Sequence, residues 1–218
     1  MSISLARSER QELCELMSTL GPDAPTLCAG WTAFHLAAHL HLRESDPVAA
    51  AGIAVPALKP TAERRMAKLM AETDFDQLVA MVAQGPGRLN PMRVPAVDER
   101  ANALEFFVHH EDLRRGGSFD VRPRVLGAET DDLLWDAAIR LATRRLRGVR
   151  VGVLLQRVRD GRPTDELAVV ATGRAPVTVS GEPSELVLWL FGRERAAEVR
   201  FSGPVSGLAK LRARSLAV

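Results

Sequence analysis

The chain has 218 residues, with 29 basic and 27 acidic side chains, a formal net charge of +2 and 46% hydrophobic residues. That length suits one large domain or two small ones with a real core. The near balance of charge argues against a dedicated nucleic-acid binder, and no apolar run is long enough to cross a bilayer.

Other broad features narrow the class. The start, Met1-Ser2-Ile3-Ser4-Leu5-Ala6-Arg7, lacks the charged, apolar and small-residue regions of a secretory signal, so a cytoplasmic protein is expected. Cys14 and Cys28 form no framework and no C-x-x-C pair, which predicts reduced thiols rather than a disulfide or a thiolate zinc site. The richness in Ala, Arg, Val and Leu, with little Lys and no Tyr, suggests a high-GC bacterial genome.

In chain order, residues 4–20 predict a helix, because Leu13, Leu16, Met17 and Leu20 share one apolar face. Gly21-Pro22 stops it. Thr32 is the expected N-cap of a second helix running to about Glu44, with His35, His39 and Arg43 on one stripe. The small apolar stretch Ala49 to Pro60, with its two prolines, reads as a loop. Thr61 to Ala71 and Asp74 to Gln84 read as helical, ended by Gly85-Pro86-Gly87, and Asn90 to Pro95 as another loop. Val97 to Arg115 predicts a long helix closed by Gly116-Gly117. Thr130 is expected to cap a helix to about Arg147, with Leu134, Ala138, Leu141 and Ala142 at core spacing.

The texture changes at Gly148. Val149, Val151, Val153 and Leu155 alternate as in a strand, and Asp160-Gly161 marks a turn. Leu167 to Ala171, Val177 to Ser180 and Ala197 to Ser202 read as further strands. Pro183 opens a short helix to Leu190, and Pro204 to Arg214 a terminal one. The expected fold is therefore mixed α plus α/β: a helical domain over residues 1–147, then a small α+β domain over 148–218.

Two stretches carry the chemistry. Glu105 and His109 lie four apart, so a helix presents both on one face, about 5–6 Å apart at Cβ. His39 is the candidate third ligand from another helix. Two histidines and one carboxylate suit a divalent transition metal and leave a coordination position open. Each feature also has an ordinary reading: a solvated Glu/His pair, a hydrogen-bonded core histidine, a Trp31 that anchors the core, a buried Cys28. His35, His41 and His110 are not expected to be ligands; His110 points about 100° away from His109. The arginines at 140, 144, 145, 147 and 150 read as a solvated stripe, since no aromatic residues interleave them.

Taken together, Cys28-x-Gly30-Trp31-Thr32, Ala38-His39-Leu40, Arg43-Glu44, the Glu105-x-x-x-His109-x-x-Asp112 run and Ser180-Gly181-Glu182-Pro183-Ser184-Glu185-Leu186 resemble the DinB-like superfamily. The closest likeness is to its actinobacterial branch containing mycothiol-dependent maleylpyruvate isomerase, within a group described only as metal-binding. The resemblance spans nearly the whole chain. It implies an N-terminal DinB-like four-helix bundle whose His39, Glu105 and His109 hold a divalent metal, usually zinc. Asp112 matches a motif position without being a ligand and is expected to orient one. His35 and His110 stand where many relatives carry other residues, which opens a ligand swap. The family isomerase also uses a C-terminal arginine; in this chain Lys210, Arg212 and Arg214 lie in the last expected helix, and the motif singles out none of them.

The expected function is a metal-dependent enzyme that activates a low-molecular-weight thiol, mycothiol, for isomerisation or transfer onto an electrophilic substrate. Arg43, one turn from His39, is the candidate contact for a substrate anion. The alternatives are a non-catalytic metal-binding or stress-response module and a carrier of small apolar ligands. Expected partners are small molecules rather than nucleic acid or membrane, in a monomer or homodimer.

Overall fold

The structure is a computed structural model and describes residues 4–87, 90, 94–117, 121–214 and 216. Among these are nine α-helices and a four-stranded sheet, a mixed α plus β chain. It divides into two compact units, Met1–Asp120 and Val121–Val218. That division differs from the expected one at residue 147, because the helix after Gly127 packs within the second unit. No helix of the described residues is long and apolar enough to cross a membrane.

The first unit is wholly helical: α1 (Leu5–Leu20), α2 (Ala33–Ser45), α3 (Pro47–Ala54), α4 (Lys59–Glu72), α5 (Phe75–Gln84) and α6 (Pro95–Arg115). The apolar stripe of α1 meets α5 and α6, and α2 meets α3, α4 and α5. Leu13, Met17, Leu36, Leu40, Leu78 and Phe106 are fully buried where these faces join. Burying each such side chain stabilises by about 1.5–3 kcal/mol.

Residues 49–60 depart from expectation. They hold α3 and a short 3-10 turn, Pro56–Leu58, rather than an open loop. Asp46 Oδ1 accepts from the backbone N–H groups of Val48 and Ala49, and Pro47 takes the first turn, where its missing N–H is not needed. Of the expected loop from 90 to 95, residues 91–93 lie outside the described residues.

A buried polar cluster interrupts this core. Arg10 Nη1 donates to Glu44 Oε2 at 2.7 Å and to the Val82 carbonyl at 2.9 Å, and Nη2 donates to Glu44 Oε1 at 2.5 Å. Asn102 Nδ2 donates to Glu44 Oε1 at 2.9 Å and to Asp98 Oδ1 at 2.7 Å. Arg10 and Glu44 tolerate burial because they meet in a bidentate pair.

The second unit joins α7 (Ala128–Arg145), β1 (Val153–Arg159), β2 (Arg162–Ala171), β3 (Val177–Gly181), α8 (Pro183–Leu190), β4 (Arg200–Ser202) and α9 (Val205–Arg212). The sheet order is β2-β1-β3-β4, with β1 and β3 parallel and both outer pairs antiparallel. Asp160 and Gly161 both take positive φ, 51° and 72°, as the tight turn between β1 and β2 requires. Alternation places Val153, Leu155, Val177 and Val179 on the buried face. Thr130 falls inside α7 instead of capping it; Gly127 holds the N-cap position. Val149 and Val151 precede β1 rather than belonging to it.

Candidate metal centre

Two helices of the first unit carry the site. α2 starts where Thr32 and His35 close on each other: the Thr32 N–H donates to His35 Nδ1 at 3.3 Å. An imidazole thus returns to the cap where a Glu or Gln usually does. His35 is committed to that cap, and one turn later His39 faces α6. On α6, Glu105 and His109 stand on one face as their spacing dictates.

Two imidazoles converge on a single oxygen of the Glu105 carboxylate. His39 Nε2 lies 3.2 Å from Glu105 Oε1, and His109 Nε2 lies 3.3 Å from the same atom. The two imidazole centroids are 5.2 Å apart. Donor atoms of all three residues lie within 4.8 Å of one another. Two donors each about 2.1 Å from a tetrahedral ion stand about 3.4 Å apart, so the spacing fits a first-row divalent cation.

The other nitrogen of His109 settles how its ring is used. Nδ1 lies 2.9 Å from Asp112 Oδ2, whose side chain is fully buried. An ionised carboxylate only accepts, so Nδ1 carries a proton toward Asp112, and Nε2 faces Glu105 Oε1, where a bound cation would take the place of the Nε2 proton. This carboxylate–imidazole order is the one that orients metal-bound histidines.

Asp112 also accepts from Cys28 Sγ at 3.2 Å. Cys28 reaches it because the loop before α2 lies against the end of α6: the Leu27 N–H donates to the Asp112 carbonyl at 3.0 Å. Gly116 permits that approach, since a Cβ there would stand 2.0 Å from the Pro25 carbonyl oxygen.

Arg43 adds positive charge to the group. Its Nε is 3.4 Å from Glu105 Oε1, and its Nη1 donates to Asn102 Oδ1. The expected anion contact therefore touches the site's carboxylate and the buried cluster around Glu44 at once. Trp31, half-buried, sets its ring 5.1 Å from His39 and packs on the core.

Electrostatics follow from these contacts. Burial alone would raise the Glu105 carboxyl, but the bonds from His109 and His39, with Arg43, hold it well below the usual carboxylate range. Burial pushes the His39 imidazole down, against the pull of Glu105. Burial also opposes charge on His109, yet Asp112, Cys28 and Glu105 outweigh it and hold that imidazole well above its ordinary value. The result is an anionic oxygen flanked by two imidazoles with unlike affinities for a proton.

The remaining histidines lie apart from this point. His110 Nδ1 is 2.7 Å from Glu9 Oε2 on α1, and His41 is half-buried elsewhere on α2. Within the second unit Arg212 lies over the Phe201 ring and Arg214 donates to the Arg145 carbonyl. Sequence reasoning missed Asn102 and the Cys28–Asp112 contact. The first stands on the same helix, three residues before Glu105, and its spacing there is the signal that points to it.

Comparison of the chain with protein-family models, with curated proteins and with solved structures gives no match.

Proposed function

We propose that this protein binds a divalent metal, zinc foremost, through His39, Glu105 and His109 and uses it to activate a low-molecular-weight thiol of the mycothiol class for isomerisation or transfer. The observation that carries the reading is the approach of two imidazole Nε2 atoms to one carboxylate oxygen, with the second imidazole held by Asp112. The sequence resemblance to the DinB-like superfamily and its mycothiol-dependent isomerases supports the thiol part. The packing of α1 on α5 and α6, and of α2 on α5, supports a four-helix bundle of that type.

When bound, the metal supplies a Lewis acid able to hold a thiol as its thiolate. The chain's residues do the rest. Glu105 brings negative charge and pairs with Arg43, while Asp112 keeps a proton on His109 Nδ1 and holds Nε2 toward Glu105. The Arg43 guanidinium, with five N–H donors in a fixed fork, can hold a substrate carboxylate beside the thiol while keeping its contact to Asn102.

The test is metal analysis joined to turnover. His39→Ala and His109→Ala should each remove one equivalent of zinc, and the wild-type protein should consume an electrophile such as maleylpyruvate only when thiol is added. Metal binding without any thiol-dependent turnover would favour the non-catalytic module. Retention of zinc by both variants would overturn the site itself.

A further inference from the structure

Within the second unit, the end of α7 and the end of β2 border a cavity of about 320 Å³. Leu146 and Val170, 1% and 7% exposed, form its floor, and Val169, 65% exposed, leaves apolar surface open at its rim. Arg147 is the one charged side chain among the described residues of its lining, with Thr143 and Thr172 beside it. We propose that this cavity binds a small organic anion, with a carboxylate on Arg147 and a short apolar body against Leu146 and the two valines.

Three observations carry this. The first is charge. No acidic residue occurs from Ala137 to Arg159 or from Leu167 to Gly181, the two stretches that supply the lining. Among the described residues no carboxylate pairs with Arg147. Nearby, burial and the like charges of Arg144, Arg193 and Arg214 push the Arg145 guanidinium below the usual arginine range. An anion here meets cations and no competing acid. The second is the shape of β2. Val153 pairs with Ala171 and Leu154 with Val169, so Val170 is an extra residue with no partner on β1. Such a bulge re-aims side chains, and here the successive residues Val169 and Val170 both line the cavity instead of facing opposite sides of the sheet. The third is a donor. Thr143 Oγ1 spends its hydrogen on the Ile139 carbonyl at 2.8 Å, whereas the Thr172 hydroxyl makes no hydrogen bond among the described residues and can donate to a carboxylate.

The ordinary role of arginines at this place is to offset the negative pole of α7. That suits Arg144 and Arg145 in its last turn, and it gives no reason for an open apolar floor beside Arg147. The volume lies at the small end of ligand pockets, which fits a short acyl or aryl carboxylate and leaves no room for a nucleotide. A nucleic-acid phosphate would find the charge, but no aromatic side chain among the described lining residues offers its base a stacking face.

The experiment titrates hexanoate into the isotope-labelled full chain while NMR follows the backbone amides. Those of residues 143–149 and 169–172 should shift, and they report this cavity separately from His39, Glu105 and His109. Arg147→Gln removes an exposed charge and should weaken that binding about tenfold, the worth of one charge-assisted hydrogen bond. Val169→Asp sets a like charge at the exposed rim and should weaken it as well. Arg150→Gln, exposed and outside the lining, should leave it within about twofold. Hexanol and inorganic phosphate each carry half of the recognised chemistry, and both should bind about tenfold more weakly than hexanoate. The absence of shifts in those two segments would overturn the site. Equal losses from Arg147→Gln and Arg150→Gln would reveal only a general basic field, and a lower melting temperature of Arg147→Gln with unchanged binding only a helix cap. Either result overturns the proposal, as does phosphate binding as tightly as hexanoate.

Discussion

Asp112→Asn isolates the outer half of the candidate metal centre. The change keeps the shape of a fully buried side chain and leaves its backbone carbonyl free to accept from Leu27. It removes the negative charge 2.9 Å from His109 Nδ1, on the same oxygen, Oδ2, that accepts from Cys28. A hydrogen bond to a charged group contributes about 1.5–3 kcal/mol, roughly twice a neutral one. The asparagine oxygen can still accept from Nδ1, so about half of that should survive. The expected cost is then about 0.75–1.5 kcal/mol, or about a three- to tenfold fall in zinc affinity. Asp112→Ala removes the acceptor outright and should fall toward about 100-fold. Competition against a chromophoric chelator at fixed pH reads both, with circular dichroism to show that the helices persist. If Asp112→Asn binds zinc as tightly as wild type while His109→Ala binds none, Asp112 does not orient the imidazole and the assignment of Nε2 as the ligand atom loses its basis.

Two further outcomes follow from other parts of the first unit. Burial pushes the Cys14 thiol up to about 11. Iodoacetamide at pH 8 should leave Cys14 unmodified in the folded chain and label it once denaturant is added, as peptide mapping would show. A thiol that ionises later in the fold than in the unfolded chain makes stability fall as pH rises from about 9 toward 11. Rapid native labelling at pH 8 would contradict that burial. Gly116→Ala should destabilise by about 1–3 kcal/mol, because a new methyl meets Pro25 backbone rather than a movable side chain. The same change should weaken zinc binding by shifting Cys28 away from Asp112. An unaltered melting temperature would mean that this close approach is not required.

Much of the first unit could be read from residue spacing. The i, i+4 pair at Glu105 and His109 and the start of α2 at Thr32 are local signals, and local signals survive folding. α3 was hidden because small residues between prolines look like a loop. The usable clue was Asp46 directly before Pro47, a cap followed by the one helical position proline favours. For α7, the stripe from Leu134 to Ala142 announces an apolar face but says nothing of which unit will cover it. Arg10 carries no local signature, Asn102 only its place on the helix of Glu105, and Glu44 stands out only as part of the Arg43-Glu44 motif. They lie 34 and 58 residues apart in sequence and meet only because three helices pack in one particular way. The same holds for Cys28 and Asp112, 84 residues apart.

The chain of contacts from Arg10 through Glu44, Asn102 and Arg43 to Glu105 fixes more than charge. Moving any of α1, α2 or α6 lengthwise by one turn, about 5.4 Å, would strand several ions in oil at the same moment. Gradual sliding of these rods is thereby closed off as a route to a reshaped site. Descendants of this sequence that acquire new chemistry should do so by exchanging side chains around Trp31 and the loop before α2, with the helical scaffold unmoved.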